Sequence, residues 1–284
     1  MAGADDHHWR TVPRRGNELA LRLCSALVLG SIAIASAYLG RGPFAVVWSV
    51  AAMGVMWEWI SLAAGADRRS ALVVGGAALA PALALAATGF FVAAVVVLVI
   101  GTLAAAALVS AERRSWVAGG IPYAGALGIA PIVLRSDSQA GFLAVIFIFA
   151  VVWTTDVIGY FVGRAVGGPK LMPQVSPNKT WSGAVAGTVA AAAAAIAVAK
   201  TAGLGELLSI AMLAIGLSIV AQAGDLFESF LKRRFGAKDS SHLIPGHGGL
   251  MDRLDGFVTA SVAAALIGLA RGGFGAPGRG LLAW

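Results

Sequence analysis

Charge is scarce in this sequence. Of 284 residues only 12% are Asp, Glu, Lys or Arg, about half of the share in an ordinary soluble domain. Cysteine is nearly missing as well. Cys24 lies alone in an apolar run, so the chain has neither an internal disulfide nor a cysteine-based metal site. There are four histidines, and His242 and His247 lack zinc-type spacing. Long polar stretches are also few: the two longest are 162–182 and 232–255. No period of 20 to 50 residues repeats, which argues against a solenoid. The net charge of +7 is scattered between apolar segments. Without one cationic face, a nucleic-acid partner is not expected.

What the chain has in abundance is hydrocarbon. It is 58% hydrophobic, with mean hydropathy +0.83. The stretch "FFVAAVVVLVIGTLAAAALV" is apolar at every phase of a helix, whereas barrel strands would alternate apolar and polar residues. The expected fold is all-α, a polytopic integral membrane bundle of about nine transmembrane helices. Apolar windows place them near 19–39, 43–62, 71–87, 90–110, 116–134, 140–161, 183–203, 207–231 and 256–271. Ala35-Ser36-Ala37 matches a signal-cleavage pattern, but small residues are ordinary helix-packing residues, so the first window is read as a span.

Orientation follows from the basic residues. With the N-terminus cytoplasmic, sixteen of the twenty-one Lys and Arg fall inside; Arg41, Arg135, Lys200, Arg271 and Arg279 fall outside. The chain then divides into a cytoplasmic segment 1–18, a transmembrane scaffold 19–139, and a catalytic region 140–284 whose loops 162–182 and 232–255 face the cytoplasm.

The polar residues that do exist are concentrated. "KDSSHLIPGHGGLMDRLDG", residues 238 to 256, holds Lys238, Asp239, His242, His247, Asp252, Arg253 and Asp255. Asp252 and Asp255, at i and i+3, share one face of a helical first turn. Asp156 and Asp225 lie far along helices running from outside to inside, which brings them towards the same boundary. A carboxylate in or beside hydrocarbon costs a few kcal/mol, so Asp156, Asp225, Glu228, Asp252 and Asp255 need partners. A divalent cation would be one. Mg2+ suits an aspartate-rich, cysteine-poor set and is commonly held by one or two carboxylates plus substrate phosphates.

Lys170, Lys179, Lys232, Arg233, Lys238 and Arg253 surround these acids, as a polyphosphate substrate would require. "GHGGL" offers backbone amides free of Cβ atoms at Gly248 and Gly249, and "SPNKT" offers Ser176, Asn178 and Lys179 around a proline-set turn. Glu58, flanked by Trp57 and Trp59, reads as an interfacial carboxylate in an aromatic belt.

The stretch "SFLKRRFGAKDSSHLIPGHGGLMDRLD", Ser229 to Asp255, closely resembles the signature of phosphatidate cytidylyltransferases, also called CDP-diacylglycerol synthases. "DVIGYFVGRAVGGPKLMPQVSPNKTWSG", from Asp156, is similar to that family's second segment. Two departures stand out: Val157 and Ser182 occupy positions where the family favours a small polar residue and an acidic or amide residue. The resemblance implies the reaction CTP + phosphatidate to CDP-diacylglycerol + pyrophosphate, with Mg2+ and K+ as a second cation. It makes Asp225, Asp252 and Asp255 the metal-site carboxylates, and Lys238, Lys179 and Ser176 phosphate or nucleotide contacts, with Asp239 and His247 supporting the loop. Asp156, Asn178, Lys232, Arg233, Gly248, Gly249 and Arg253 complete the expected substrate site. A homodimer in a bacterial cytoplasmic membrane is the implied setting. The alternatives are a related CTP-dependent enzyme acting on another lipid, and a cation-coupled transporter built on Asp156 and Asp225.

Overall fold

The structure, a computed structural model, describes residues 15–241, 243, 244 and 248–284. The first fourteen residues of the expected cytoplasmic segment, and His242 and His247, lie outside them. Among these residues nine long helices follow in order: α1 (Arg15–Leu39), α2 (Arg41–Ala63), α3 (Arg68–Ala87), α4 (Phe91–Leu108), α5 (Arg114–Arg135), α6 (Gly141–Val166), α7 (Trp181–Thr201), α8 (Leu207–Arg234) and α9 (Met251–Gly272). A short α10 (Pro277–Leu282) ends the chain. Among the described residues, eight helices are long and apolar enough to cross a membrane. The first expected span, 19–39, corresponds to α1, whose apolar part, Cys24–Leu39, is shorter than the other eight.

The bundle is polytopic and all-α apart from one hairpin. Within the expected loop 162–182, β1 (Lys170–Met172) pairs antiparallel with β2 (Ser176–Thr180). The segment read as a proline-set turn is therefore a strand. Pro177 is accommodated because a two-stranded ribbon leaves one edge of each strand unpaired.

Consecutive helices pack side by side, and small residues set how closely. A Cβ on Gly183 would stand 2.5 Å from the Gly159 carbonyl, and one on Gly187 2.6 Å from the Thr155 carbonyl. The glycines of "GYFVGR" thus form the α6–α7 contact, a small-residue packing seam of the kind membrane helices use. Between α6, α7 and α8, the buried hydroxyls of Thr155 and Ser218 bond at 2.8 Å, and Gln222 donates to Thr188 at 2.9 Å. These bonds satisfy polar groups that hydrocarbon would leave bare.

Antiparallel succession puts the 162–182 hairpin and the 235–250 loop at one end of the bundle. At the opposite end α10 is clamped to the α5–α6 turn. Asp137, 2% exposed, accepts from the amides of Gln139, Ala140 and Arg279 at 2.9, 3.0 and 2.8 Å. Burial pushes its carboxyl up, but these amides and the Arg279 guanidinium outweigh it and hold the group below the usual aspartate range. Arg271 lies 3.7 Å from the centre of the Trp284 ring, a cation–π contact closing the C-terminus.

Candidate active site

The acidic residues come from three helices and converge. Asp225 is nine residues before the end of α8 and Asp156 ten before the end of α6, so each is about 14 Å inside its helix terminus. Asp255 lies in the second turn of α9. The carboxylates of Asp156, Asp225 and Asp255 are within electrostatic reach of one another. The α8–α9 approach that unites Asp225 with Asp255 depends on Gly224: a Cβ there would stand 2.2 Å from Thr259 Oγ1 and 2.8 Å from the Asp255 carbonyl.

Lys179, at the end of β2, forms an ion pair with Asp225. The hairpin thus inserts a cation among the acids. Thr180 then caps α7 by accepting from the Gly183 amide at 3.2 Å. Ser182, one of the two departures from the family pattern, donates to the Gly167 carbonyl at 2.5 Å, tying α7 to the loop that precedes β1. Val157, the other, is exposed beside Asp156. Ser176 is half-buried and Asn178 exposed on β2.

A second cluster adjoins the first. Lys232 Nζ lies 2.6 Å from Glu228 Oε2 and 2.5 Å from Asp252 Oδ1. The other Asp252 oxygen accepts from the amides of Ser240 and Gly249 at 2.9 and 2.8 Å and from the Ser240 hydroxyl at 3.0 Å. Lys232, expected to meet phosphate, bridges two carboxylates of its own chain. The amide of Gly249, expected to receive an anion, is likewise spent on Asp252. Gly248 has φ +80°, and a Cβ there would stand 2.8 Å from Asp252 Oδ2; only glycine fits without strain.

Lys238 and Asp239 are exposed on the loop, Asp239 beside Gly248. Arg233 donates to the Ala237 carbonyl at 3.2 Å. Arg253 lines, with Asp156, the polar end of a cleft of about 430 Å³ between α1, α2, α6 and α9. The rest of its wall is hydrocarbon, including Trp48, Phe149, Trp153 and Phe257. Among the described residues no three acids or histidines converge at metal-ligand spacing. Asp225, paired with Lys179 and reached by the Ser229 hydroxyl at 3.5 Å, and Asp255, which accepts from the Gly256 amide at 2.8 Å, nevertheless face each other's charge.

The sequence reading of Glu58 is overturned. Instead of standing in an aromatic belt at the interface, it is fully buried and accepts four hydrogen bonds from the loop and the start of α9. Tyr123 is a further group the sequence did not flag: its buried phenol lies within reach of the Asp255, Glu228 and Asp225 charges. Neither stood in a polar motif. Both sit in apolar helices of the N-terminal half, where only an isolated polar letter in a span hinted at a role.

A model of the cytidylyltransferase family matches residues 20–270. The chain belongs to that family. It is 40% identical to the phosphatidate cytidylyltransferase of Brucella abortus over 262 residues, 89% of this chain and 94% of that protein. It is also 38% identical to the phosphatidate cytidylyltransferase of Bacillus subtilis over 128 residues, 45% and 48% of the two chains. For the Staphylococcus saprophyticus protein of the same name the figures are 39% over 133 residues, 46% and 51%. As a cytidylyltransferase, the chain must bring a nucleotide to its second substrate, and the lysine-flanked carboxylates beside an apolar cleft are suited to a lipid one.

Proposed function

We propose that this protein is a phosphatidate cytidylyltransferase of a bacterial cytoplasmic membrane, with its active site facing the cytoplasm. The observation that carries the reading is the junction of an apolar cleft with the carboxylate–lysine cluster, at Asp156 and Arg253. An acyl chain can stay in the hydrocarbon cleft while a phosphate meets the Arg253 guanidinium, a fork suited to phosphate oxygens. The similarity to named phosphatidate cytidylyltransferases points the same way.

In the reaction a lipid phosphate oxygen bonds to the α-phosphorus of CTP, and the bond from that phosphorus to the pyrophosphate oxygen breaks. A phosphate monoester is already a nucleophile, so the protein has mainly to align it and offset charge. Arg253 orients the lipid phosphate. Lys179 and exposed Lys238 meet the nucleotide phosphates, with Ser176 and Asn178 beside Lys179 on β2. Lys179 then moves from Asp225 towards the phosphate, leaving the carboxylate free.

The donor set fits Mg2+. Asp156, Asp225, Glu228, Asp252 and Asp255 outnumber the nearby cations Lys179, Lys232 and Arg253, and all ligand atoms are oxygens. Asp225 and Asp255 would hold the ion. Asp252, with both oxygens engaged, enters as the anchor between loop and α8. When bound, the metal supplies charge stabilisation for the phosphates. K+ as a second cation and a homodimer rest on the family resemblance alone.

Purified protein incubated with labelled CTP, Mg2+ and phosphatidate should yield CDP-diacylglycerol and pyrophosphate. Product only with another lipid acceptor would redirect the assignment to a related cytidylyltransferase. Absence of any CTP turnover would overturn it.

A further inference from the structure

Glu58 lies near the end of α2, more than 180 positions before the loop it touches. Its Oε1 accepts from Ser241 Oγ at 2.6 Å and from the Leu250 amide at 2.8 Å; its Oε2 accepts from Ser240 Oγ at 3.0 Å and from the Met251 amide at 2.6 Å. Both oxygens are thus filled by one hydroxyl and one backbone amide each. The two amides are among the orphan donors at the start of α9, where the N-cap Leu250 has no side chain able to accept them. A carboxylate placed there also complements the positive end of the helix.

The fit depends on a glycine. A Cβ at Gly249 would stand 1.9 Å from Ser240 Oγ and 2.6 Å from Glu58 Oε1, so any other residue would wedge the loop off the carboxylate. Trp59, the next residue of α2, fixes the helix at this level by donating to the Trp116 carbonyl at 2.7 Å. Ser240, one of the four donors, has one hydroxyl proton to share between Glu58 Oε2 and Asp252 Oδ2, each 3.0 Å away.

We propose that Glu58 is a positioning residue for the transfer reaction: a fully buried carboxylate of the N-terminal scaffold that caps α9 from outside and thereby sets the loop bearing Lys238 and the turn bearing Asp252, Arg253 and Asp255. Glu58 touches no substrate. It acts by fixing the register between the lysine side of the loop and the carboxylates of α9, on which in-line alignment depends. A displacement of about 1 Å in such a constellation costs about 10²-fold in rate. The inference rests on the cytidylyltransferase reading.

Glu58→Gln is the sharpest probe. Its amide nitrogen must face one of the two donor pairs; a serine hydroxyl can turn to accept, but the Leu250 or Met251 amide cannot. One buried N–H is therefore left without an acceptor whichever way the side chain turns. In detergent-purified protein matched for folded amount, kcat for CDP-diacylglycerol formation should fall about 10²-fold, while KM for phosphatidate stays within about threefold. Glu58→Asp keeps both acceptor oxygens and should recover part of the lost turnover. Trypsin cleavage after exposed Lys238 should be at least about tenfold faster in the Gln variant, because opening of the loop is no longer opposed. A purely structural Glu58 predicts a lower melting temperature with unchanged kcat per folded molecule, and that result would overturn the proposal, as would equal losses in Gln and Asp. Should Glu58→Gln not fold, Ser241→Ala removes one donor while leaving the carboxylate in place: a three- to tenfold fall in kcat at wild-type melting temperature supports the proposal, and wild-type kcat refutes it. Failure of the wild-type protein itself to form CDP-diacylglycerol would count against the function, since the Lys238 cleavage assay reports on Glu58 without turnover.

Discussion

At the scale of single residues, Asp252 shows how position changes the meaning of a carboxylate. By sequence it is one of three metal-site aspartates; in the fold its oxygens meet Lys232, Ser240 and Gly249. The Asn variant preserves shape but must turn an NH2 towards either the Lys232 ammonium or the Ser240 and Gly249 amides. Both choices place donor against donor. Removing one member of a buried pair of this kind costs about 3–5 kcal/mol, part of it in folding and part in the placement of the loop. Turnover of Asp252→Asn per folded molecule should therefore drop by about 10² or more, as measured by CDP-diacylglycerol formation across a Mg2+ titration, with excess Mg2+ restoring little. Turnover near wild type would detach Asp252 from the chemistry altogether. Lys232 shows the same shift: a basic letter in a family signature, it serves first to neutralise Glu228 and Asp252.

Among the elements, the decisive contact is α8 against α9. These helices carry Asp225 and Asp255, and their separation is set by Gly224, where Thr259 and the Asp255 carbonyl leave no room for a Cβ. Thr259 completes the seam by donating to the Val220 carbonyl at 3.0 Å. Gly224→Ala gains up to about 1 kcal/mol in helix propensity, yet forces the helices apart at a cost of about 1–3 kcal/mol. Overpacking wins because, beyond the Thr259 side chain, the Asp255 carbonyl at 2.8 Å is backbone that cannot turn aside. The expected outcome is a lower melting temperature and at least a tenfold loss of turnover at matched folded amount. Thermal denaturation in detergent alongside the activity assay checks both; an Ala variant as stable and active as wild type would show that the seam can relax.

For the whole molecule, the prediction concerns which way the bundle faces. The distribution of basic residues predicts that the hairpin and the signature loop face the cytoplasm and the α5–α6 turn the opposite side. With Cys24 replaced, a cysteine at Gln174 in the hairpin should react with an impermeant thiol reagent only from the cytoplasmic side, and one at Ser138 only from outside. Labelling of both from the same side would refute the orientation. CTP is cytosolic, so the same experiment also tests whether the carboxylate cluster can reach its nucleotide.

Much of this architecture could be read from the chain because hydrocarbon constrains it so strongly. A backbone in lipid must bond to itself, so apolar runs of sufficient length become helices almost regardless of detail, and the expected windows lie within a few residues of α2 to α9. The cluster of Asp156, Asp225 and Asp255 was also legible, since a charge in a span needs a reason. The stretch "GHGGL", by contrast, has the chemistry of an anion cradle in sequence, and only the fold shows protein carboxylates meeting the amides of Gly249 and Leu250. Glu58 is the clearest case. Local sequence places it between two tryptophans in an apolar helix, and nothing within twenty residues names its partners. Hydrogen bonds to Ser240, Ser241, Leu250 and Met251 exist because α2 packs beside α9. The sequence alone determined that the chain forms membrane helices, the approximate bounds of α2 to α9 and the chemistry concentrated near residue 250, because hydrophobic length and composition act locally. Tertiary structure decided which carboxylate holds a loop and which carboxylates each lysine meets, because hydrogen bonds between distant helices depend on how those helices pack.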